Sequence, residues 1–181
     1  ADGLESPWHD YAAIVKSVVI GQGVKTVGSY AFANLKNLKS VEINAELKRL
    51  GSGAFYGCTA LSDLEGIEGV RVIGGECFRG CSALSAIGIP TGCTSVGSYA
   101  FAGTAIKSVS VPSSVVSLGE GAFASCRKLA YAELPSGISK VSASLFSGCT
   151  ALEAFFVKDD GSYGGASLTV EANAFSGCSA L

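Results

Sequence analysis

Glu42 and Glu65 stand 23 residues apart, each at the middle of a short stretch in which apolar and polar residues alternate. On neighbouring strands of a stacked sheet the two carboxylates would lie roughly 5 Å apart, the separation at which a retaining glycosidase sets its nucleophile and its acid. That chemistry also requires a water-excluding pocket to raise one carboxyl pKa. An open sheet face offers none, so a solvated acidic face is the expectation, with a carbohydrate-active enzyme as the lesser alternative.

Other reactive groups fare no better. Ser6, His9 and Asp10 collect the residue types of an acyl-transfer triad, but nothing in the surrounding sequence points to a held geometry or an oxyanion site. An N-terminal cap, with Trp8 covering the open end of the first coil, is the simpler reading. Asp159, Asp160, Gly161 and Ser162 bring oxygen ligands together without the alternate spacing and terminal bidentate acid of a calcium loop, so a turn is expected. The seven cysteines are odd in number and lack C-x2-C spacing, which argues against zinc. No cofactor motif is present.

The elements that would position these groups follow from a repeat. Phenylalanine recurs at Phe32, Phe55, Phe78, Phe101, Phe123, Phe146 and Phe175, at spacings of 23, 23, 23, 22, 23 and 29 residues. A period in the twenties is the mark of a solenoid, whose units bury their apolar side only by stacking. Six residues after the ring comes an aliphatic (Leu38, Leu61, Leu84, Leu129, Leu152, Leu181), with Ile106 one residue early. Two apolar positions separated by one residue follow, as in Val41 and Ile43, Ile87 and Ile89, Val109 and Val111, Ala132 and Leu134, Phe155 and Val157, and predict a strand with one buried face. Pro90, Pro112 and Pro135 then close the strand.

A second apolar pair, three residues apart, precedes a glycine (Gly28, Gly51, Gly74, Gly97, Gly119) that stands four residues before the next ring. Glycine required so regularly implies a positive φ or a tight backbone approach. The AF-x-x-C stretch is short enough for one helical or 3₁₀ turn. Cys58, Cys81, Cys126, Cys149 and Cys178 all follow the ring by three, where parallel Cβ vectors oppose disulfide geometry and packed thiols are expected; Cys77 and Cys93 replace core residues.

The unit L-x-x-V-x-I-P-x-x-V-x-x-V-G-x-x-A-F-x-G-C resembles the BspA-like, or type-5, leucine-rich repeat of surface proteins of bacteria and protozoan parasites. The resemblance spans about Lys16 to Leu181, and Ser6, Pro7, Trp8 and Tyr11 resemble the segment that precedes the first repeat in bacterial members. It implies a repeat solenoid, a β-rich leucine-rich-repeat right-handed superhelix, displayed outside the cell or on its surface. It also implies binding of a protein, a cell surface or an extracellular-matrix ligand. Residues 1–15 are then a cap segment and 16–181 a solenoid of about seven repeats. Leu181 falls inside a repeat, so a fragment of a longer protein is expected.

Composition narrows the rest. A net charge of -2 gives no nucleic-acid footprint, and the uncharged run from Gly80 to Ile106 is broken by Gly, Ser, Thr and Pro90, which excludes a membrane span. Between the buried strand positions stand Glu42, Glu65, Gly88, Ser110, Glu133 and Phe156; the neighbouring outward column runs Ser40, Asp63, Ala86, Ser108, Tyr131 and Ala154. The candidate ligand-binding residues are therefore Glu42, Asp63, Glu65, Tyr131, Glu133 and Phe156 on a non-catalytic adhesion or binding module. A structural spacer is the alternative, and Phe156 packing under the insertion within Lys158 to Ser167 is the competing reading of that ring.

Overall fold

The fold was obtained as a computed structural model that describes residues 6–158 and 168–181. The inserted stretch after Lys158, with Asp159, Asp160, Gly161 and Ser162, lies outside the described residues. After one 3₁₀ turn, His9–Tyr11, the chain winds into coils of short strands: β1 (Ser17–Ile20), β2 (Thr26–Val27), β3 (Ser40–Ile43), β4 (Arg49–Leu50), β5 (Asp63–Glu65), β6 (Val72–Ile73), β7 (Ser95–Val96), β8 (Ser108–Ser110), β9 (Ser117–Leu118), β10 (Tyr131–Leu134), β11 (Lys140–Val141), β12 (Ala154–Val157) and β13 (Thr169–Val170). Every pairing among the described residues is parallel, as a solenoid of repeated turns requires.

Each coil has three sides. The first carries the alternating stretches, ordered β1-β3-β5 and β12-β10-β8; the second carries the shorter pairs, ordered β2-β4-β6-β7-β9 with β11-β13 apart. Alternation places Val41, Ile43, Ala132 and Leu134 inside and leaves Glu42 and Tyr131 outside, as period-two patterning dictates. No strand forms over Ile87 and Ile89, contrary to the alternation there. Ala86 and Gly88 are poor strand formers, and Gly88 has no side chain to pack across the sheet. The first side is thus two three-stranded sheets rather than one.

The third side holds the phenylalanines. Phe55, Phe78, Phe101, Phe123 and Phe146 are buried, and successive rings from Phe32 to Phe175 stack with centroids 5.4–5.7 Å apart. The expected helical turn is absent. Left-handed residues stand two before the ring, at Tyr30, Gly53, Glu76, Tyr99, Gly121, Ser144 and Asn173, and two after it, at Asn34, Gly57, Gly80, Gly103, Ser125, Gly148 and Gly177. A helix cannot continue through a positive φ. Instead the N–H groups at ring minus two, ring and ring plus two each donate to the following coil, as Tyr99, Phe101 and Gly103 do to Glu120, Ala122 and Ala124 at 2.8 Å. This third ladder runs without a gap from Tyr30 to Ser176.

Four of the five corner glycines answer to close approach and none to positive φ; Gly28, on the first coil, faces open space. A Cβ on Gly51 would stand 2.6 Å from the backbone of Gly28, and Gly74, Gly97 and Gly119 are equally tight against the coil before. At the next corner Ser142 replaces the glycine, and there β9 and β11 do not pair. The added Cβ separates the coils at that point. Leu181, read as an inward aliphatic, is exposed on the last turn.

Candidate binding face

The outward columns of the first side form a surface that changes along the axis. At the N-terminal end Val19, Glu42 and Glu65 lie in register on β1, β3 and β5, with Ser40 paired to Asp63 beside them. Glu42 accepts a hydrogen bond from Asn44 Nδ2 at 2.9 Å. Glu42, Asp63 and Glu65 are all exposed on an open face. Val19, the exposed apolar member of this column, escapes a sequence reading because it precedes the first phenylalanine.

At the C-terminal end Tyr131 pairs with Ala154 and Glu133 with Phe156, so the two aromatic rings sit diagonally on adjacent strands. Tyr131 is 52% and Phe156 55% exposed. Their surroundings are ordered by charge. Ser110 Oγ donates to Glu133 Oε2 at 2.6 Å and Lys158 Nζ approaches the same oxygen at 3.1 Å; the serine hydrogen bond first, and the lysine after it, hold the Glu133 carboxyl below its ordinary pKa. Tyr131 OH donates to Glu153 Oε2 at 3.3 Å. The six candidate residues therefore fall into two groups, Glu42, Asp63 and Glu65 on one sheet and Tyr131, Glu133 and Phe156 on the other, parted by the strandless stretch at Ala86–Ile89. Glu153 and Lys158 join the second group; both lie just outside the alternating positions, which is why the pattern does not single them out.

The remaining reactive groups are committed to structure. Ser6 is buried, donates its hydroxyl to the Ala31 carbonyl at 2.8 Å and accepts the Trp8 N–H at 3.2 Å, whereas His9 is exposed. Trp8 is half-exposed, and Ala12, Val15 and Val18 pack against the core beside it. All seven cysteines are free thiols. Cys58, Cys81, Cys126, Cys149 and Cys178 each donate to the carbonyl of the phenylalanine one coil back, at 3.0–3.2 Å. Thr104, in the cysteine column, turns instead to the Phe101 carbonyl of its own coil at 2.8 Å. Burial pushes the Cys58 thiol up to about 12 and raises Cys77 and Cys81 further, while contact with Cys126, then burial, raises Cys149. No cluster of metal-ligating side chains, and no helix long and apolar enough to cross a membrane, occurs among the described residues.

Known proteins place the chain in a family. The model of the BspA type leucine-rich repeat region matches in six copies over residues 10–129 and 66–181. A leucine-rich-repeat protein of T. pallidum superposes with a TM-score of 0.81 at 26% identity, covering 92% of this chain and 78% of that one. One from Bacteroides ovatus gives 0.70 at 28% identity, with 85% of this chain covered; the present chain spans 45% of its length. A leucine-rich cell surface protein of Faecalibacterium prausnitzii gives 0.54 at 28% identity over 84% of this chain and 35% of its own. No curated protein matches the sequence. With the repeat, its three-sided coil and a family model spanning nearly the whole chain in agreement, the protein belongs to the BspA-type leucine-rich-repeat family.

Proposed function

We propose that this chain is a non-catalytic recognition module that works outside the cell, through the C-terminal half of its first side. One observation carries the reading: Tyr131 and Phe156 are both more than half exposed on register-paired strands, in a fold whose other large rings are mostly packed. Exposed aromatics on a flat, rigid sheet gain contact area at little entropic cost and recur as the anchors of protein interfaces. Around them Glu133, Lys158 and Glu153 supply the polar rim that sets association rate and register. Glu42, Asp63 and Glu65 extend the face with negative charge toward the N-terminal end. The F. prausnitzii relative is described as a cell surface protein, which supports an extracellular setting.

The test is surface plasmon resonance against a panel of extracellular and matrix proteins. The reading expects a saturable partner whose affinity falls about tenfold, roughly 1.4 kcal/mol, in Tyr131→Ala/Phe156→Ala at unchanged melting temperature. A partner bound equally well by that variant moves recognition off this face. A chain that binds nothing saturably is a spacer, a role that the unbroken third ladder would also serve.

A further inference from the structure

Cations occur on several sides of the coil, but one edge collects them almost without acids. The stretches leading from each phenylalanine turn into the first side, three to seven residues after the ring, together with the equivalent stretch before β1, carry Lys16, Lys36, Lys39, Lys107, Arg127 and Lys128. These are six of the 13 basic residues, whereas Glu153 is the only one of the 15 acids found there. All six cations are exposed. The ion pairs seen among the described residues, Lys25–Glu46, Arg79–Glu76, Lys140–Glu171 and Lys158–Glu133, use none of them. A protein of net charge -2 thus keeps one edge strongly positive.

Backbone hydrogen bonding lines up each half of this edge along the axis, and Ser82 Oγ, donating to the Thr59 carbonyl at 3.3 Å, links the halves. Lys39 N–H donates to the Lys16 carbonyl at 2.8 Å, Ser62 N–H to Lys39 at 3.0 Å and Ala130 N–H to Lys107 at 2.8 Å. The cations form two clusters, Lys16, Lys36 and Lys39 at one end and Lys107, Arg127 and Lys128 at the other, about three rungs or roughly 15 Å apart. Between them Thr59, Ser62, Ser82 and Ser85 are exposed, the Thr59 and Ser82 hydroxyls donating to the Lys36 and Thr59 carbonyls of the coil before and keeping their acceptor lone pairs, while Leu61 and Leu84 point inward. The connecting surface therefore has neither the aromatic platform that stacks unpaired bases nor the apolar wedge that enters a bilayer. Nearby acids are few: Asp63 opens β5 beside Ser62, and Glu153 is occupied by the Tyr131 hydroxyl.

We propose that this edge is a second binding surface, bordering the aromatic sheet face at Glu153 without including its rings, and that it takes a linear anionic polysaccharide, sulfated or rich in uronic acid, laid along the solenoid axis. The two cationic clusters hold separate charged groups of one chain, and the hydroxyl track between them exchanges hydrogen bonds with sugar hydroxyls. Attraction of this kind raises the association rate and weakens steeply with salt.

The probe is a fluorescein-labelled heparin fragment titrated with the 181-residue chain at low salt, about 50 mM, and at rising salt. Saturable binding is expected, competed by unlabelled heparin and not by neutral dextran. Its Kd should rise at least about tenfold in Lys36→Ala/Lys39→Ala and again in Arg127→Ala/Lys128→Ala. Lys25→Ala/Arg49→Ala, on the second side, should change it less than about twofold. Thermal melts check each fold, and Lys→Gln or Arg→Gln replaces any alanine that lowers the midpoint. The proposal is overturned by absence of binding at low salt or by equal loss in the Lys25/Arg49 variant. Tighter binding to duplex DNA or phosphatidylserine vesicles than to heparin at the same salt overturns it too.

Discussion

Ser142 donates its hydroxyl to the Leu118 carbonyl at 2.6 Å, a bond that the backbone N–H of Gly51, Gly74, Gly97 and Gly119 makes at the preceding corners at 2.8–2.9 Å. The side chain that holds the coils apart also fills the hydrogen bond lost by doing so. Ser142→Ala keeps the Cβ and orphans the carbonyl, so it should cost about 1–3 kcal/mol. Ser142→Gly restores the chance of backbone pairing and should cost less. Urea unfolding of the two variants gives the order, and an alanine variant as stable as the glycine one would contradict this account.

Alanine at two other glycines separates tight corners from open ones. Gly97→Ala drives a Cβ into the backbone of Gly74 and Gly75 and should cost about 1–3 kcal/mol as overpacking. Gly88 faces open space, so Gly88→Ala should lie within about 0.5 kcal/mol of the parent. Thermal denaturation ranks them; equal effects would mean that the corner relaxes freely.

Phe101 is buried between Phe78 and Phe123, with centroids 5.4 and 5.6 Å away. Phe101→Ala removes transfer energy and leaves a cavity, and should cost about 3–5 kcal/mol. A loss under roughly 1 kcal/mol in urea would place the ring outside the core.

The thiols that burial raises, Cys58, Cys77 and Cys81, predict a pH response of definite sign. A thiol whose folded pKa is raised stabilises the fold fully below the unfolded value, about 8.5, and that stability is lost as pH rises toward the folded value. For Cys58 the window runs from about 8.5 up to about 12. Melting temperature should fall across it, and a thiol reagent at neutral pH should label few of the seven cysteines before denaturation. A flat profile from pH 8 to 11, with fast labelling in the native state, is the opposing outcome.

Glu133 runs the other way. Its carboxyl is held low by Ser110 and then Lys158, so the contacts contribute above the unfolded carboxyl pKa and fade as acid protonates the group. The residue is solvent-facing, and Glu133→Gln should shift the melting midpoint at neutral pH by no more than a degree or two, roughly. Calorimetry at pH 7 and pH 3 checks both statements.

The seven rings, the inward aliphatics and the outward columns are legible in the sequence because each depends on a period that stacking enforces. What escapes is what depends on the neighbouring coil. The helical turn read into AF-x-x-C gives way to alternating left-handed residues, since the N–H of Phe101 gains more from the Ala122 carbonyl one coil on than from closing a helix. The alternation at Ile87 and Ile89 fails to make a strand because Ala86 and Gly88 add little across the sheet. The basic edge is invisible as a net charge of -2, since its cations are distant in sequence and meet only when the coils are stacked.

The interruptions on the first and second sides never fall at the same level. The first lies at Ala86–Ile89 and the second between β9 and β11, and the third ladder crosses both. A tensile load along the axis therefore finds no cross-section at which two sides are weak together. A tear opened at either gap is arrested by the three hydrogen bonds per joint beneath the phenylalanines, so pulled ends should yield by peeling a terminal coil rather than by snapping the rod in the middle.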